Sequence, residues 1–249
     1  MKFFKLLLYK ILGLKNYLKL VSKTYITYID SGFGKEKYSE LHYLKTLIKP
    51  GFTCLDIGAN LGYYSYFLAQ FSGKDGRVFA VEPVPVFSEI WKANLRKYKS
   101  ANLVLFPYAL GDSEKLVEMG MPAVEGVVHH GMTRVVKEGE TGFEKKFSVE
   151  MKNPDLLFAE IDQIDFIKVD VEGYESEVFD NMQQVVKKNM PIIQTELSGD
   201  GNRKKCIELL SSYGYQAFVL KNNDMILADE NLIDSHDGDF YFFTDKNQI

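Results

Sequence analysis

The sequence predicts an α/β fold in which a mostly parallel sheet carries helices on both faces. An apolar run at 52–57 leads into a small-residue turn and then into apolar residues at helical spacing, which gives the order strand, turn, helix. A second strand at 77–82 ends in an acid, and 86–98 reads as its helix. Two later apolar runs, 165–170 and 191–196, also end in acids, which is expected where strand ends line one edge of a sheet.

Three further strands complete a predicted sheet of seven, at 102–106, 215–220 and 239–244. A chain of 249 residues with 46% hydrophobic content suits one such domain, placed at 50–249, plus an appendage. Residues 1–49 are predicted as an N-terminal helical appendage and lid. In this segment, helices at 1–20 and 40–48 flank an irregular, aromatic stretch at 23–38.

Residues 113–163 are long for a connection in a compact α/β unit. Strands are predicted at 116–121 and 147–151, joined by a glycine-rich loop that carries His129 and His130. In this fold the insertion would overhang the site, so it is the candidate substrate-recognition element. The two histidines are candidates for a base or for metal ligands, and a solvated loop with incidental histidines is an equally good interpretation.

The turn after the first strand indicates which ligand the site takes. Its pattern is Asp56-x-Gly58-x-x-x-Gly62, and Asn60 stands where a dinucleotide fingerprint needs its middle glycine. A carboxylate at the strand tip repels phosphates and attracts cations. S-adenosylmethionine fits this pattern because it carries a sulfonium and an ammonium and no phosphate.

Glu82 ends the second strand about twenty residues after the turn. In nucleotide-binding α/β folds a carboxylate here accepts hydrogen bonds from ribose hydroxyls. The Asp56 turn and Glu82 together predict an adenosyl site more specifically than either does alone. The aromatic ring of Tyr63 or Tyr64 is suited to rest against the sulfonium by cation–π attraction.

Four motifs resemble the FkbM family of S-adenosylmethionine-dependent methyltransferases: DIGANLGYYS (56–65), VEPVP (81–85), ALGD (109–112) and IDFIKVDVEGYE (164–175). The resemblance covers about residues 40 to 245. It implies the class I methyltransferase fold, a Rossmann-like seven-stranded mixed sheet, and O-methylation of hydroxyls on sugars or related natural products. It also implies donor contacts from the ALGD motif, with Ala109 and Leu110 near the adenine and Asp112 beside its exocyclic amine. The full set of expected donor-binding residues is Asp56, Gly58, Asn60, Gly62, Tyr63, Glu82, Ala109, Leu110 and Asp112.

Asp170 is the first candidate for the catalytic base, because an alcohol is a poor nucleophile until its proton is removed. Glu172 is the second candidate, and a helix N-cap is the structural alternative for Asp170. Asp170 and Glu196 end adjacent predicted strands, so they are also the candidate ligands of a divalent cation such as Mg²⁺.

The charge distribution limits the partners. Residues 1–49 carry ten lysines against three acids, a balance of +7, so the remaining chain carries −11. An acidic body argues against nucleic acid as a partner. Residues 1–20 are interrupted by lysines too often to span a membrane, so the alternatives are peripheral contact with an anionic leaflet and packing on the domain. Two isolated cysteines favour a reducing, cytoplasmic compartment.

Two other functions stay open: a silent binding module that keeps the donor pocket, and a nucleotide-dependent oxidoreductase. The oxidoreductase would need a glycine near Asn60 and no acid at Asp56. The acceptor is expected to be a small molecule or glycan. The sequence does not indicate an oligomeric state.

Overall fold

The computed structural model describes residues 2–98, 102–124, 127–137 and 139–245. Within these residues, eight strands form the main sheet: β1 Thr53–Ile57, β2 Arg77–Val81, β3 Leu103–Phe106, β9 Phe166–Val169, β10 Ile192–Leu197, β11 Gln216–Lys221, β12 Asp224–Leu227 and β13 Gly238–Phe243. Their spatial order is β12-β11-β13-β10-β9-β1-β2-β3. Five spatially adjacent strands are parallel: β3, β2, β1, β9 and β10. Strand β13 runs antiparallel to both of its neighbours, β10 and β11. The predicted mixed α/β sheet is therefore confirmed.

The strand order reverses between β1 and β9. Strands β2 and β3 lie on one side of β1, and the chain then returns to place β9 on the other side of β1. The two strands are in register, with Asp56 level with Lys168 and Ile57 level with Val169. Ligands of open α/β sheets bind at such a reversal, beyond the carboxyl ends of the strands.

Helices cover both faces of this sheet: α1 Lys2–Asp30, α2 Ser39–Leu47, α3 Tyr63–Ser72, α4 Pro85–Asn94, α5 Pro154–Leu157, α6 Glu175–Asp180, α7 Gln183–Asn189, α8 Asp200–Ser211 and α9 Glu230–Ser235. Side chains point alternately to the two faces of the sheet along each strand, so each face has its own hydrophobic core. Cys54 and Phe166 pack with α1, α2 and α3, whereas Leu55 and Ile167 pack with α6, α7 and α8.

The insertion contributes four strands to a second sheet, and β4 just before it contributes the fifth: β4 Ala109–Leu110, β5 Lys115–Val124, β6 Val127–Val128, β7 Arg134–Val135 and β8 Phe143–Lys152. Strands β5 and β8 are the two predicted in the insertion, and both are longer than expected. They pair antiparallel from Lys115–Met151 to Pro122–Phe143. A 3₁₀ turn at His130–Met132 links β6 to β7.

The predicted count of seven strands in the main sheet is wrong by one, because β12 adds an eighth at the edge. The chain reverses from β11 into β12 through Asn222 and Asn223, whose φ angles are +54° and +66°. Two consecutive left-handed residues make the tight hairpin turn whose twist matches that of its strands, and asparagine tolerates this conformation better than most residues do.

The predicted irregular stretch at 23–38 is helical as far as Asp30. Leu18, Ser22, Ile26 and Ile29 recur at helical spacing and are all buried, which explains why the helix continues. It breaks instead at Gly13, where φ is +69° and ψ is 169°. Residues 14–30 and helix α2 therefore pack against the domain and contribute buried side chains to its hydrophobic core.

Candidate active site

A cavity of about 310 Å³ lies at the reversal of strand order, between the ends of the parallel strands and the second sheet. Most of the predicted site residues line it: Asp56, Gly58, Asn60, Tyr63, Glu82, Ala109, Leu110, His130, Asp170, Glu172 and Glu196. The sequence motifs, although far apart in the chain, thus meet around one space.

The turn after β1 depends on glycine at position 58. Its φ is +81°, and an added Cβ would stand 1.8 Å from the backbone oxygen of Asp170. The amides of Gly58 and Ala59 both donate to the carbonyl of Val81, at 3.0 and 2.9 Å. The turn is therefore held tightly between the ends of β9 and β2, in a space that no side chain fits.

Glu82 faces the cavity with both carboxylate oxygens partly occupied. Oε2 accepts from the amide of Asn60 and Oε1 from the amide of Val84, each at 2.8 Å. Burial raises the pKa of Glu82 to about 8, although the two amide donors oppose this shift. Each oxygen retains a lone pair that can accept from a ligand hydroxyl.

Asp56 lies beneath the turn, fully buried. It accepts a short hydrogen bond from the hydroxyl of Ser65, which itself accepts from the indole N–H of Trp91 at 2.7 Å. Burial raises the pKa of Asp56 to about 6. The chain from Trp91 through Ser65 fixes this carboxylate below the glycine turn.

Lys168 was not predicted, and it is the central charge of the site. Its side chain is 1% exposed, and Nζ lies 2.7 Å from Oδ1 of Asp239 and 3.9 Å from Oδ2 of Asp170. Burial alone would lower the pKa of Lys168, but these carboxylates outweigh burial and hold the pKa above its usual range. A lysine in the middle of the apolar run FIKV was the available sequence signal, because buried lysines need partners.

The Lys168 ammonium also lies 4.9 Å from the centre of the Tyr64 ring. The amide of Gln194 donates to the Tyr64 hydroxyl at 3.0 Å and to Asp239 at 3.1 Å. These contacts join α3, β9, β10 and β13 into one polar network below the cavity.

Acidic groups surround the cavity side of this network. Burial and the Asp170 charge raise the pKa of Glu172 to about 8 and that of Glu196 to about 7. Burial also raises the pKa of Asp170, while Lys168 lowers it. Glu172 adopts a left-handed φ of +56°, which an ordinary side chain disfavours, and such strain concentrates at functional sites.

The Asp170–Glu196 pair does not fit the predicted divalent cation. In the described part of the chain, no three His, Cys, Asp or Glu side chains converge as metal ligands. The Lys168 ammonium lies 2.7 Å from Asp239 and 3.9 Å from Asp170, and it would repel a metal ion placed beside Asp170.

Of the two insertion histidines, the structure brings His130 to the cavity. The Asn60 side chain donates to the His130 carbonyl at 3.2 Å, and its Oδ1 lies 3.1 Å from His130 Nδ1. Burial lowers the pKa of His130 to about 4, so the ring is neutral. His129 is exposed and outside the cavity lining.

Two other predicted donor contacts also lie off the cavity. Asp112 is exposed and pairs with Lys115 at 2.6 Å, which places it in solvent instead of beside a ligand. Gly62 begins α3 with φ +87°, and its missing side chain makes room for Trp91 and Leu95. Its contribution is to the packing of the turn on α4.

Comparison with known proteins agrees with this arrangement. A family model described as the methyltransferase FkbM domain matches residues 56–217, more than half of the chain. The chain belongs to the FkbM methyltransferase family. The matched span contains the glycine turn, Glu82, the insertion and Asp170.

A solved FkbM methyltransferase from Methylobacillus flagellatus KT shares the fold of this chain. The TM-score is 0.50 at 16% identity, and the match covers 82% of this chain and 50% of the solved one. The class I methyltransferase fold that the family resemblance implies is thereby confirmed. The match spans about half of that solved chain.

Curated relatives match over shorter spans. A protein-L-isoaspartate O-methyltransferase of Methanothrix thermoacetophila is 30% identical over 70 residues, which is 27% of this chain and 33% of the relative. One from Aeropyrum pernix is 39% identical over 67 residues, 27% of this chain and 25% of the relative. The chain thus matches a third or less of the length of these relatives.

Proposed function

We propose that this FkbM-family chain transfers a methyl group from S-adenosylmethionine to a hydroxyl oxygen, with a saccharide as the acceptor class. The proposal rests on one observation. The cavity at the strand reversal is lined by the glycine turn and by more carboxyl groups than lysines. A cavity with this charge suits a ligand that carries a sulfonium and an ammonium, and it repels nucleotide phosphates.

The residues around the turn fit such a donor. The turn holds the backbone of residues 58–60 at the edge of the cavity, and the lone pairs left on Glu82 suit two ribose hydroxyls. Ala109 and Leu110 offer an apolar surface for an adenine ring, and the Tyr63 ring offers a π face for the sulfonium.

The donor supplies an electrophilic methyl carbon, and the chain supplies position and a proton acceptor. Asp170 lines the cavity directly after β9, and Lys168 stabilises its ionised form. An Asp170 carboxylate that accepts the acceptor's proton as the new bond forms would speed transfer by about 10²–10⁴-fold. Glu172 is the second candidate, because a group with a pKa of about 8 is half ionised at pH 8 and can accept a proton there.

The rest of the lining supports a saccharide. Glu40, Glu196 and Asp239 present oxygens to the same cavity, where sugar hydroxyls can donate to them. The rings of Tyr108 and Tyr174 supply flat apolar surface beside these oxygens, as ligand cavities commonly do.

Transfer of a labelled methyl group from S-adenosylmethionine to a panel of mono- and oligosaccharides tests the proposal. We expect label in at least one saccharide, and we expect Asp170→Asn to lower kcat by about a hundredfold or more. Asp162→Asn is the matched control, since Asp162 is exposed and outside the cavity lining, and it should keep full activity. Unchanged turnover in Asp170→Asn would contradict the base assignment. Donor binding without transfer to any hydroxyl would favour the silent binding module.

A further inference from the structure

The first helix presents a basic and apolar surface to solvent. Residues 5–23 contain five lysines and no acid, and all five lysines are exposed. Leu7, Ile11 and Leu20 are 43%, 69% and 45% exposed on the same stretch. We refer to the exposed side chains of residues 5–23 as the α1 surface.

Packing of α1 on the domain does not account for this surface. The residues that dock the helix are different ones, with Tyr17, Leu18, Ile26 and Ile29 buried in the core. Lys15 pairs with Glu89 at 2.5 Å. In the described part of the chain, no carboxylate lies within ion-pair distance of the other four lysines.

We propose that the α1 surface, which includes residues on both sides of the break at Gly13, binds an anionic lipid surface. Lysines attract acidic headgroups, and the exposed leucine and isoleucine side chains enter the boundary between headgroups and acyl chains. None of the helices in the described residues combines the length and apolar character of a transmembrane span. Lys5, Lys10, Lys19 and Lys23 would keep their charged ends at the headgroups.

Charge asymmetry orients the molecule in this arrangement. Residues 50–249 carry −11, against +7 for residues 1–49. An anionic membrane repels the body and attracts α1, so one face of the protein is favoured over all others.

The helix that carries the α1 surface reaches the cavity at its C-terminal part. Tyr25, on the same helix, lines the cavity and packs 4.5 Å from the ring of Tyr63. If methyl transfer is the function, which rests on the proposal above, the acceptor class narrows to saccharides carried on lipids. Lipid binding itself does not depend on that function.

Sedimentation of the full chain with vesicles tests this inference. Vesicles of phosphatidylcholine with phosphatidylglycerol should carry the protein down, vesicles of phosphatidylcholine alone should not, and added salt should weaken binding. Lys5→Glu/Lys10→Glu and Ile11→Glu should each weaken binding to the anionic vesicles by about tenfold or more.

Matched controls separate this surface from general effects. Leu156→Glu places the same charge on a leucine that is 73% exposed elsewhere, and Lys49→Glu reverses an exposed lysine outside α1. Both should bind like the unsubstituted chain, and all variants should keep its unfolding midpoint.

Two outcomes would overturn the inference. The first is no sedimentation with anionic vesicles, or equal sedimentation for Ile11→Glu and Leu156→Glu. The second is a dimer on size-exclusion chromatography that Ile11→Glu dissociates while vesicle binding stays absent, which would assign the α1 surface to a second copy of the chain. Neither outcome depends on whether methyl transfer is observed.

Discussion

Replacing Gly58 by alanine tests how tightly the glycine turn is held. The added Cβ would stand 1.8 Å from the Asp170 carbonyl oxygen, and Cβ atoms essentially never approach within 3.0 Å, so the two segments must separate by about 1.2 Å or more. That movement strains the hydrogen bond from the Asp170 amide to the Ile57 carbonyl, now 2.9 Å, and the one from Gly58 to Val81, now 3.0 Å.

The expected loss of stability follows from these contacts. A left-handed backbone costs alanine about 1–2 kcal/mol. Two buried backbone hydrogen bonds lost or stretched add about 1–3 kcal/mol. We expect Gly58→Ala to lower the free energy of unfolding by about 2–5 kcal/mol and to weaken donor binding more than tenfold.

Gly214→Ala is the matched control, because Gly214 has a similar φ of +87° and nothing within 4 Å of an added Cβ. It should show only the backbone cost of about 1–2 kcal/mol and leave binding unchanged. Urea unfolding followed by circular dichroism measures both variants. Equal losses of stability would refute the reasoning, since the Asp170 contact would then contribute nothing.

Three further predictions concern the charges and the insertion. Lys168→Met should cost about 3–5 kcal/mol of stability by removing the buried cation that pairs with the partly exposed Asp170 and Asp239 carboxylates, whereas Lys204→Met, at an exposed ion pair, should cost under about 1 kcal/mol; equal costs in urea would contradict this. Because the pKa of Glu172 is raised to about 8, the folded chain keeps a proton that the unfolded chain releases at lower pH, so stability falls as pH rises to 8. Glu172→Gln should flatten that fall in unfolding midpoints measured across pH, and an unchanged slope would contradict the raised pKa. A double-mutant cycle of Asn60→Ala and His130→Ala should give a coupling of about 0.5–1.5 kcal/mol from the side-chain contact between Asn60 Oδ1 and His130 Nδ1, and additive losses would show that this contact does not hold the insertion.

The sequence predicts which residues at the ends of the first two strands line the cavity, because the signals there are local. Each signal can be recognised from a few neighbouring residues and the geometry of parallel strands. The signals are the apolar run into Asp56, the turn at Gly58 and the acid at Glu82. Their meeting at one cavity follows from the strand order of the folded sheet.

What the sequence does not predict depends on contacts between distant segments. The role of Lys168 needs Asp239, which is 71 residues away and comes close only because β13 folds back beside β10. The choice of His130 over His129 depends on Asn60, 70 residues earlier. The edge strand β12 depends on a turn at Asn222 and Asn223 that carries no glycine to mark it.

Isothermal titration calorimetry of the full chain with S-adenosylmethionine, S-adenosylhomocysteine and NAD tests the central claim most directly. We expect both adenosyl ligands to bind with one-to-one stoichiometry, NAD not to bind, and Glu82→Ala to weaken both adenosyl ligands by more than about tenfold because two ribose hydroxyls lose their acceptor. Binding of NAD, or of none of the three, would contradict the claim that the cavity at the strand reversal holds a methyl donor.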